Sequence, residues 1–344
     1  MKKFINLLQT ARLYARVGLK GMTPHKAYNM LRYWFKTSVL GKQIPWLMEL
    51  SVTYRCPCRC VHCSVGEYLD EANAKRTEEL TTEQMKSVLE QAQKIGIPKV
   101  DFFGGEPLIR EDILELTEFG AKKGLYMSIT TNAWFLTKEM VKKLKQAGIS
   151  CINISLDSAM EEKHDSLRRL PGVYKKALEG ARICREEEIP CIMSTYVTHD
   201  RIKNFGTGES DNSQLTQIIS LAKNLKASGI RILFPILSGR WERDAKQEFT
   251  EEEKSLVVEN LDHSFAFIEG AYSVKNGKKV CQSLSGKMFN ISPYGDLQLC
   301  ITFPQLFGNV KDLSLADALK KMYSHPIYLK NRDGSCCSAT GLQE

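Results

Sequence analysis

The run Cys56-Pro57-Cys58-Arg59-Cys60-Val61-His62-Cys63 puts three cysteines in C-x3-C-x2-C spacing on one short loop, directly after the strand-like Leu47-Met48-Glu49-Leu50-Ser51-Val52-Thr53. Three thiolates this close can hold three corners of a cubane iron-sulfur cluster and leave the fourth iron open to an exogenous ligand. A zinc knuckle is the alternative, since zinc takes four ligands and Cys58 or His62 could complete a set. Cys58 is too close to Cys56 and Cys60 to join both on one ion without distorting the loop, so the spacing favours the cluster.

Further along comes Val100-Asp101-Phe102-Phe103-Gly104-Gly105-Glu106-Pro107-Leu108. An apolar strand runs into two glycines that let backbone approach a ligand. A carboxylate follows where a ligand ammonium could be met, and a proline fixes the exit turn. Taken together, the two motifs resemble the radical S-adenosylmethionine (SAM) enzymes. The resemblance implies that Cys56, Cys60 and Cys63 ligate a [4Fe-4S] cluster whose open iron chelates SAM. It implies that the reduced cluster cleaves SAM to a 5′-deoxyadenosyl radical, and that Gly104, Gly105, Glu106 and Pro107 bind the SAM amino group.

Strands over 126–130 and 151–156 also end in polar tips, Thr131-Asn132 and Asp157-Ser158. Asn132 and Ser155 suit a ribose and its neighbours, because ligands of parallel α/β folds collect at the carboxyl ends of the strands. The stretch His164-Asp165-Ser166-Leu167-Arg168-Arg169-Leu170-Pro171-Gly172 resembles the family segment after the fourth strand. That likeness implies that Arg168 reaches the SAM carboxylate; the alternative is a solvated helix face.

Helical patterns alternate with these strands. A helix capped by Thr81 or Thr82 spans 83–92, and others cover 110–123, 137–147, 173–188 and 214–227; strands cover 191–197 and 230–236. Six strands, each but the last followed by a helix, predict an α/β fold with a parallel sheet and right-handed crossovers. The expected form is a partial (β/α)6 barrel open at one side. The domain reading is a basic arm (1–46), the barrel (47–240), a helical connector (241–280) and a small C-terminal extension (281–344).

In that extension, Met288-Phe289-Asn290-Ile291, a Pro293-Tyr294-Gly295 turn and 297–300 read as a hairpin carrying Cys281 and Cys300 at its ends. This resembles the opening of the SPASM or Twitch extensions, and implies an auxiliary iron-sulfur cluster. The full SPASM pattern has more cysteines, whereas only Cys336-Cys337 follow here. Adjacent cysteines rarely share one cluster, so the expected ligands are Cys281, Cys300 and one of Cys336 or Cys337. The other of that pair is then a candidate hydrogen-atom donor in the substrate cavity, with Cys151 and Cys191 as competitors. Buried thiols without a cluster are the alternative.

The arm is unusual in charge: residues 1–46 hold nine Lys or Arg and no Asp or Glu, so they carry the whole of the chain's +8 excess. Phe4, Leu7, Leu8, Ala11, Tyr14 and Ala15 recur at helical spacing. A second helix starts at Thr23-Pro24, an N-cap followed by proline at the first helical position. Such a pair can pack on the barrel, lie on an anionic membrane surface or meet an acidic partner. Nucleic acid is not expected, since no binding motif accompanies the charge. No apolar run approaches the ~20 residues of a membrane span, no signal peptide is read at the N-terminus, and eleven cysteines spaced as ligands or lying in strands fit a reducing cytoplasm.

The expected protein is a cytoplasmic radical SAM enzyme, possessing a reductant such as flavodoxin or ferredoxin as partner. SPASM-like extensions imply modification of a ribosomally made peptide or protein; lipid, isoprenoid or cofactor-precursor biosynthesis is the alternative. An iron-sulfur or zinc scaffold is the non-enzymatic reading.

Overall fold

The computed structural model of the chain describes residues 2–66, 68–70, 78–208, 211–236, 238–241, 249–268, 273–275, 278–303 and 305–332. Helices α1 (Lys2–Leu19) and α2 (Pro24–Trp34) come first, the second running on into a π-helical turn, Phe35–Val39. Five βα units and a sixth strand follow: β1 (Leu47–Thr53), α3 (Thr82–Ile95), β2 (Lys99–Gly104), α4 (Ile113–Lys122), β3 (Tyr126–Thr131), α5 (Lys138–Gln146), β4 (Cys151–Ser155), α6 (Glu161–Arg168) and α7 (Val173–Glu186), β5 (Cys191–Tyr196), α8 (His199–Ile202) and α9 (Gln214–Asn224), and β6 (Gly229–Leu233). Beyond them lie α10 (Glu251–Asn260), β7 (Ala266–Ile268), β8 (Ser273–Lys275), β9 (Lys278–Val280), β10 (Met288–Ile291), β11 (Asp296–Gln298), β12 (Leu306–Asn309), α11 (Leu315–Ser324) and α12 (Pro326–Asn331).

Local sequence accounts for the regular elements. In α3 the Thr81 and Gln84 capping box starts the helix, Met85, Val88, Leu89 and Ala92 form its buried stripe, and Gly96 at φ +108° ends it. Strands β1 to β7 are all parallel, in sequence order, and form an open partial barrel. One face of each strand packs on the helices, as Leu50, Phe102, Ile129 and Ile154 do. The opposite face is polar: the Asp101 carboxylate accepts from the Ser128 hydroxyl, from Thr130 Oγ1 at 2.8 Å and from Asn153 Nδ2 at 3.3 Å. On the next strands Arg231 Nε donates to Ser194 Oγ at 2.6 Å.

Two expectations need correction. The connector is not helical throughout: 241–280 holds α10, then β7, which adds a seventh parallel strand beside β6, and the β8–β9 hairpin. The extension joins the barrel sheet: β10 pairs in parallel with β1 from Leu47↔Met288 to Leu50↔Ile291, and β11 and β12 continue the same ten-stranded sheet. The free edge of β1 would otherwise expose unpaired backbone groups. In α1 the buried pair is Leu13 and Val17, packed with Tyr126, Cys151 and Ile192 at the amino ends of the strands. Leu8, Ala11 and Ala15 of the expected apolar row face outward, since the larger Leu13 and Val17 fill the barrel floor. The side chains of Phe4, Leu7 and Tyr14, and all of Cys336 and Cys337, lie outside the described residues.

Candidate active site

At the carboxyl ends of the strands lies a cavity of about 110 Å³ that opens to solvent. Cys56, Cys60, Cys63, Gly104, Gly105, Asn132, Ser155 and Arg168 all line it. Residues scattered over more than a hundred positions of sequence are thus brought to one place.

The cysteine loop is fixed by backbone bonds. Arg59 N–H donates to the Arg168 carbonyl at 3.1 Å and Val61 N–H to that of Leu167 at 2.9 Å, which ties the loop to the end of α6. Arg240, just after β6, donates through Nη1 to the Cys60 carbonyl at 3.0 Å and through its backbone N–H to the Cys63 carbonyl at 3.1 Å. Asn132 Nδ2 points at Cys56 Sγ from 3.6 Å. A hydrogen bond from the Cys58 thiol, helped by the Arg168 charge, lowers the Cys60 thiol although burial opposes this. Burial, followed by the nearby Cys60, pushes Cys63 up to about 12.

The two glycines are needed for a reason other than ligand access. A Cβ on Gly104, whose φ is +118°, would collide with the Thr53 carbonyl, and one on Gly105 with that of Arg55. The loop after β2 lies directly on the loop after β1, through Gly105 N–H to Thr53 O at 2.8 Å and Glu106 N–H to Arg55 O at 2.9 Å.

Glu106 departs from its expected role. Its side chain is fully buried and, with Pro107, is not among the residues lining the cavity. Oε1 accepts from Thr131 Oγ1 at 2.7 Å and Leu108 N–H at 3.1 Å, and Oε2 accepts from Asn132 N–H at 2.8 Å. Burial raises its carboxyl to about 7 in spite of these donors. In this arrangement Glu106 holds the β3 tip, and Gly104 and Gly105 are the members of this motif that line the cavity.

Arg168 is equally buried and lines the cavity, with Nε donating to Asp157 Oδ2 at 2.8 Å. His62 Nε2 approaches the same oxygen at 3.4 Å. Burial would raise the Asp157 carboxyl, but the positive charge of Arg168 beside it holds it well below the ordinary carboxylate range. Burial pushes His62 down to about 3, so it stands neutral, its ring 4.4 Å from that of Tyr196 and 5.6 Å from that of Trp241.

The sequence reading missed Thr130, Ser194, Tyr196 and Arg231, which also line the cavity. Their signal was available: polar or charged residues interrupting apolar strands at alternate positions, above all Arg231 within Gly229–Leu233. Cys58 lines the cavity as well, whereas Cys151 sits on the barrel floor and Cys191 beside Met193. Cys281 is buried and Cys300 half-buried, with Sγ 3.1 Å from Thr302 Oγ1; neither is in a disulfide, and neither lines this cavity.

The donor set fits the implied group. Among the described residues no three His, Cys, Asp or Glu side chains converge on one metal-ion position. A cubane does not require that, since each thiolate takes a different iron. Hydroxyls, an amide and a guanidinium beside the thiols suit the polar parts of a nucleoside bearing an amino acid.

Residues 50–204 match the profile of the radical SAM superfamily, a likeness that implies a [4Fe-4S] cluster and SAM. Among curated relatives, the AdoMet-dependent heme synthase of Methanosarcina barkeri is 31% identical over 196 residues, 57% of this chain and 52% of that protein. The PqqA peptide cyclase of Bradyrhizobium diazoefficiens is 28% identical over 280 residues, 77% of this chain and 69% of that protein. The match thus spans about half the length of the heme synthase. Streptococcus suis SuiB, solved with its precursor peptide SuiA, shares the fold at TM-score 0.65 and 18% identity, over 89% of this chain and 71% of SuiB.

Proposed function

We propose that this chain reductively cleaves SAM and uses the resulting radical to abstract a hydrogen atom from a peptide or protein. The observation that carries this reading is the convergence of Cys56, Cys60 and Cys63 with Gly104, Asn132, Ser155 and Arg168 on one cavity at the strand ends. When bound, the reduced cluster supplies the electron that splits SAM into methionine and a 5′-deoxyadenosyl radical. Cys56, Cys60 and Cys63 would hold the cluster. The carbonyls of Gly104 and Gly105 would meet the SAM ammonium, Arg168 its carboxylate, and Asn132 and Ser155 the ribose. Polar groups on the barrel's inner face, Thr130, Ser194 and Arg231, lie where a substrate could be oriented.

A peptide substrate is favoured because the peptide cyclase match runs over 280 residues and so extends well beyond the 50–204 stretch. A tetrapyrrole or other cofactor precursor is the second reading, motivated by the heme synthase. A flavodoxin or ferredoxin would supply the electron. We further assign Cys281, Cys300 and one of Cys336 or Cys337 to an auxiliary cluster at the C-terminal extension. The test of substrate class is deuterium transfer into 5′-deoxyadenosine. A short peptide found encoded beside this protein, perdeuterated, should label it and a perdeuterated iron porphyrin precursor should not; label from the porphyrin alone would overturn the peptide reading.

A further inference from the structure

Helix α2 is amphipathic in the reverse of the usual sense. Its polar side chains face the barrel. Lys26 Nζ donates to the Gly148 carbonyl at 3.0 Å and to Ser150 Oγ at 2.8 Å, and Asn29 Nδ2 to the carbonyls of Lys123 at 3.0 Å and Gly124 at 2.9 Å. Arg32 reaches those of Gln93 and Lys94 at 3.0 Å each, and Lys36, from the π-helical turn, that of Ile95 at 3.2 Å. These carbonyls are the orphan acceptors at the carboxyl ends of α5, α4 and α3, where the helix dipole is negative. Part of the arm's positive charge is therefore committed to the ends of two barrel helices, α3 and α5, while the neutral Asn29 serves α4.

The outward face that remains is apolar. Tyr28, Leu31, Trp34 and Phe35 follow one another at helical spacing, Val39 and Leu40 continue the row, and each is at least 50% exposed. Of thirteen large hydrophobics exposed among the described residues, eight lie between Leu8 and Leu40. Isolated exposed apolar residues are ordinary, but a contiguous row marks an interaction surface.

Charge selects what covers it. The arm contains no carboxylate, and among the described residues its cations not used on carbonyls, Arg12, Lys20 and Lys42, are exposed. A second copy would bring a like-charged arm against this one. The row is also a convex ridge rather than a groove for a peptide, and tryptophan and tyrosine beside cations are the composition of a lipid–water interface. We propose that the outer face of α2 and the turn after it docks on an anionic lipid surface. The loops that α2 grips precede β2, β3 and β4, whereas the cavity lies at the other ends of those strands, roughly 15–20 Å away. Docked this way, the cavity opens away from the lipid, and substrate reaches it from the aqueous side.

The experiment is co-sedimentation of the 344-residue chain with phosphatidylcholine vesicles, with and without phosphatidylglycerol. Wild type should bind the anionic vesicles, less so as salt rises. Leu31→Ser/Trp34→Ser/Phe35→Ser should weaken that binding roughly a hundredfold or more, through loss of three buried apolar side chains. Lys20→Gln/Lys42→Gln should weaken it roughly tenfold on anionic vesicles and leave neutral ones unaffected. All these side chains are exposed, so melting temperature and SAM cleavage should be unchanged and report that the variants are folded. Three results would overturn the proposal: equal binding by wild type and the apolar variant, no vesicle binding by wild type together with a concentration-dependent dimer that the apolar variant loses, or polyglutamate displacing the vesicles completely while the apolar variant binds normally. The docking result is independent of the radical chemistry, which SAM cleavage reads separately.

Discussion

Glu106→Gln separates holding the site together from touching its ligand. In the wild type, Thr131 Oγ1 and Leu108 N–H donate to Oε1 and Asn132 N–H to Oε2. The amide of glutamine keeps one oxygen and gains an NH₂. Whichever way it turns, that NH₂ faces a backbone N–H, either of Leu108 or of Asn132, so a buried donor is left without an acceptor. Such a loss costs about 1–3 kcal/mol, or about 1–4 °C in melting temperature for a chain of this size. The pH dependence supplies a second signature. Burial raises the wild-type carboxyl to about 7 from an ordinary value of about 4.3. With the folded value raised, its contribution is complete below the unfolded value and declines as pH rises through the folded one. Glutamine has no such dependence. The stability gap between the proteins should therefore be wider at pH 6 than at pH 8, by about 1 kcal/mol. Anaerobic thermal melts at the two pH values, paired with equilibrium SAM binding, measure both effects. Stability and SAM affinity should fall together. Wild-type melting at both pH values combined with lost SAM affinity would refute the positioning role and make Glu106 a direct ligand.

Three further changes probe the supports of the site. Asp157→Asn leaves the buried Arg168 without its charge partner and should cost about 3–5 kcal/mol in urea unfolding; a loss under about 1 kcal/mol would mean that the pair does not hold Arg168. Gly104→Ala forces a side chain into the Thr53 carbonyl at a positive φ, so reconstituted iron per chain should fall sharply, and wild-type iron content would show that the two loops are not in contact. Lys26→Met strands the carbonyl of Gly148 beneath α2 and should lower stability by about 1–3 kcal/mol without changing the C-terminal region, as hydrogen exchange would report. For the auxiliary site, the Cys56→Ala/Cys60→Ala/Cys63→Ala variant should retain about four irons per chain, since a cubane carries its irons as a unit; iron near zero would remove the second cluster.

Much of this was legible in the sequence because it is local. The cysteine spacing, the strand before it and the alternating βα patterns each lie within a short window, and the structure reproduces them to within a few residues. What was not legible depends on distant pairing. Nothing around Glu106 indicates that the tip of β3 delivers two donors to its carboxylate. The polar residues inside the strands gain meaning only when Asp101, Thr130 and Asn153 become neighbours on one barrel face. Strand β10 finds its partner in β1, about 240 residues earlier. The arm shows the same limit. Its lysines and arginines read as solvent-facing or polyanion-binding charge, because the carbonyls that receive Lys26, Arg32 and Lys36 exist as acceptors only once the ends of α3 and α5 lie side by side beneath α2.

The central claim, that the cavity cleaves SAM reductively, is tested most directly by the fate of SAM itself. Protein reconstituted with iron and sulfide, reduced anaerobically and supplied with SAM should form 5′-deoxyadenosine and methionine, and the Cys56→Ala/Cys60→Ala/Cys63→Ala variant should form none above background. Equal 5′-deoxyadenosine from both proteins, or none from a wild type that holds its full iron complement, would contradict it.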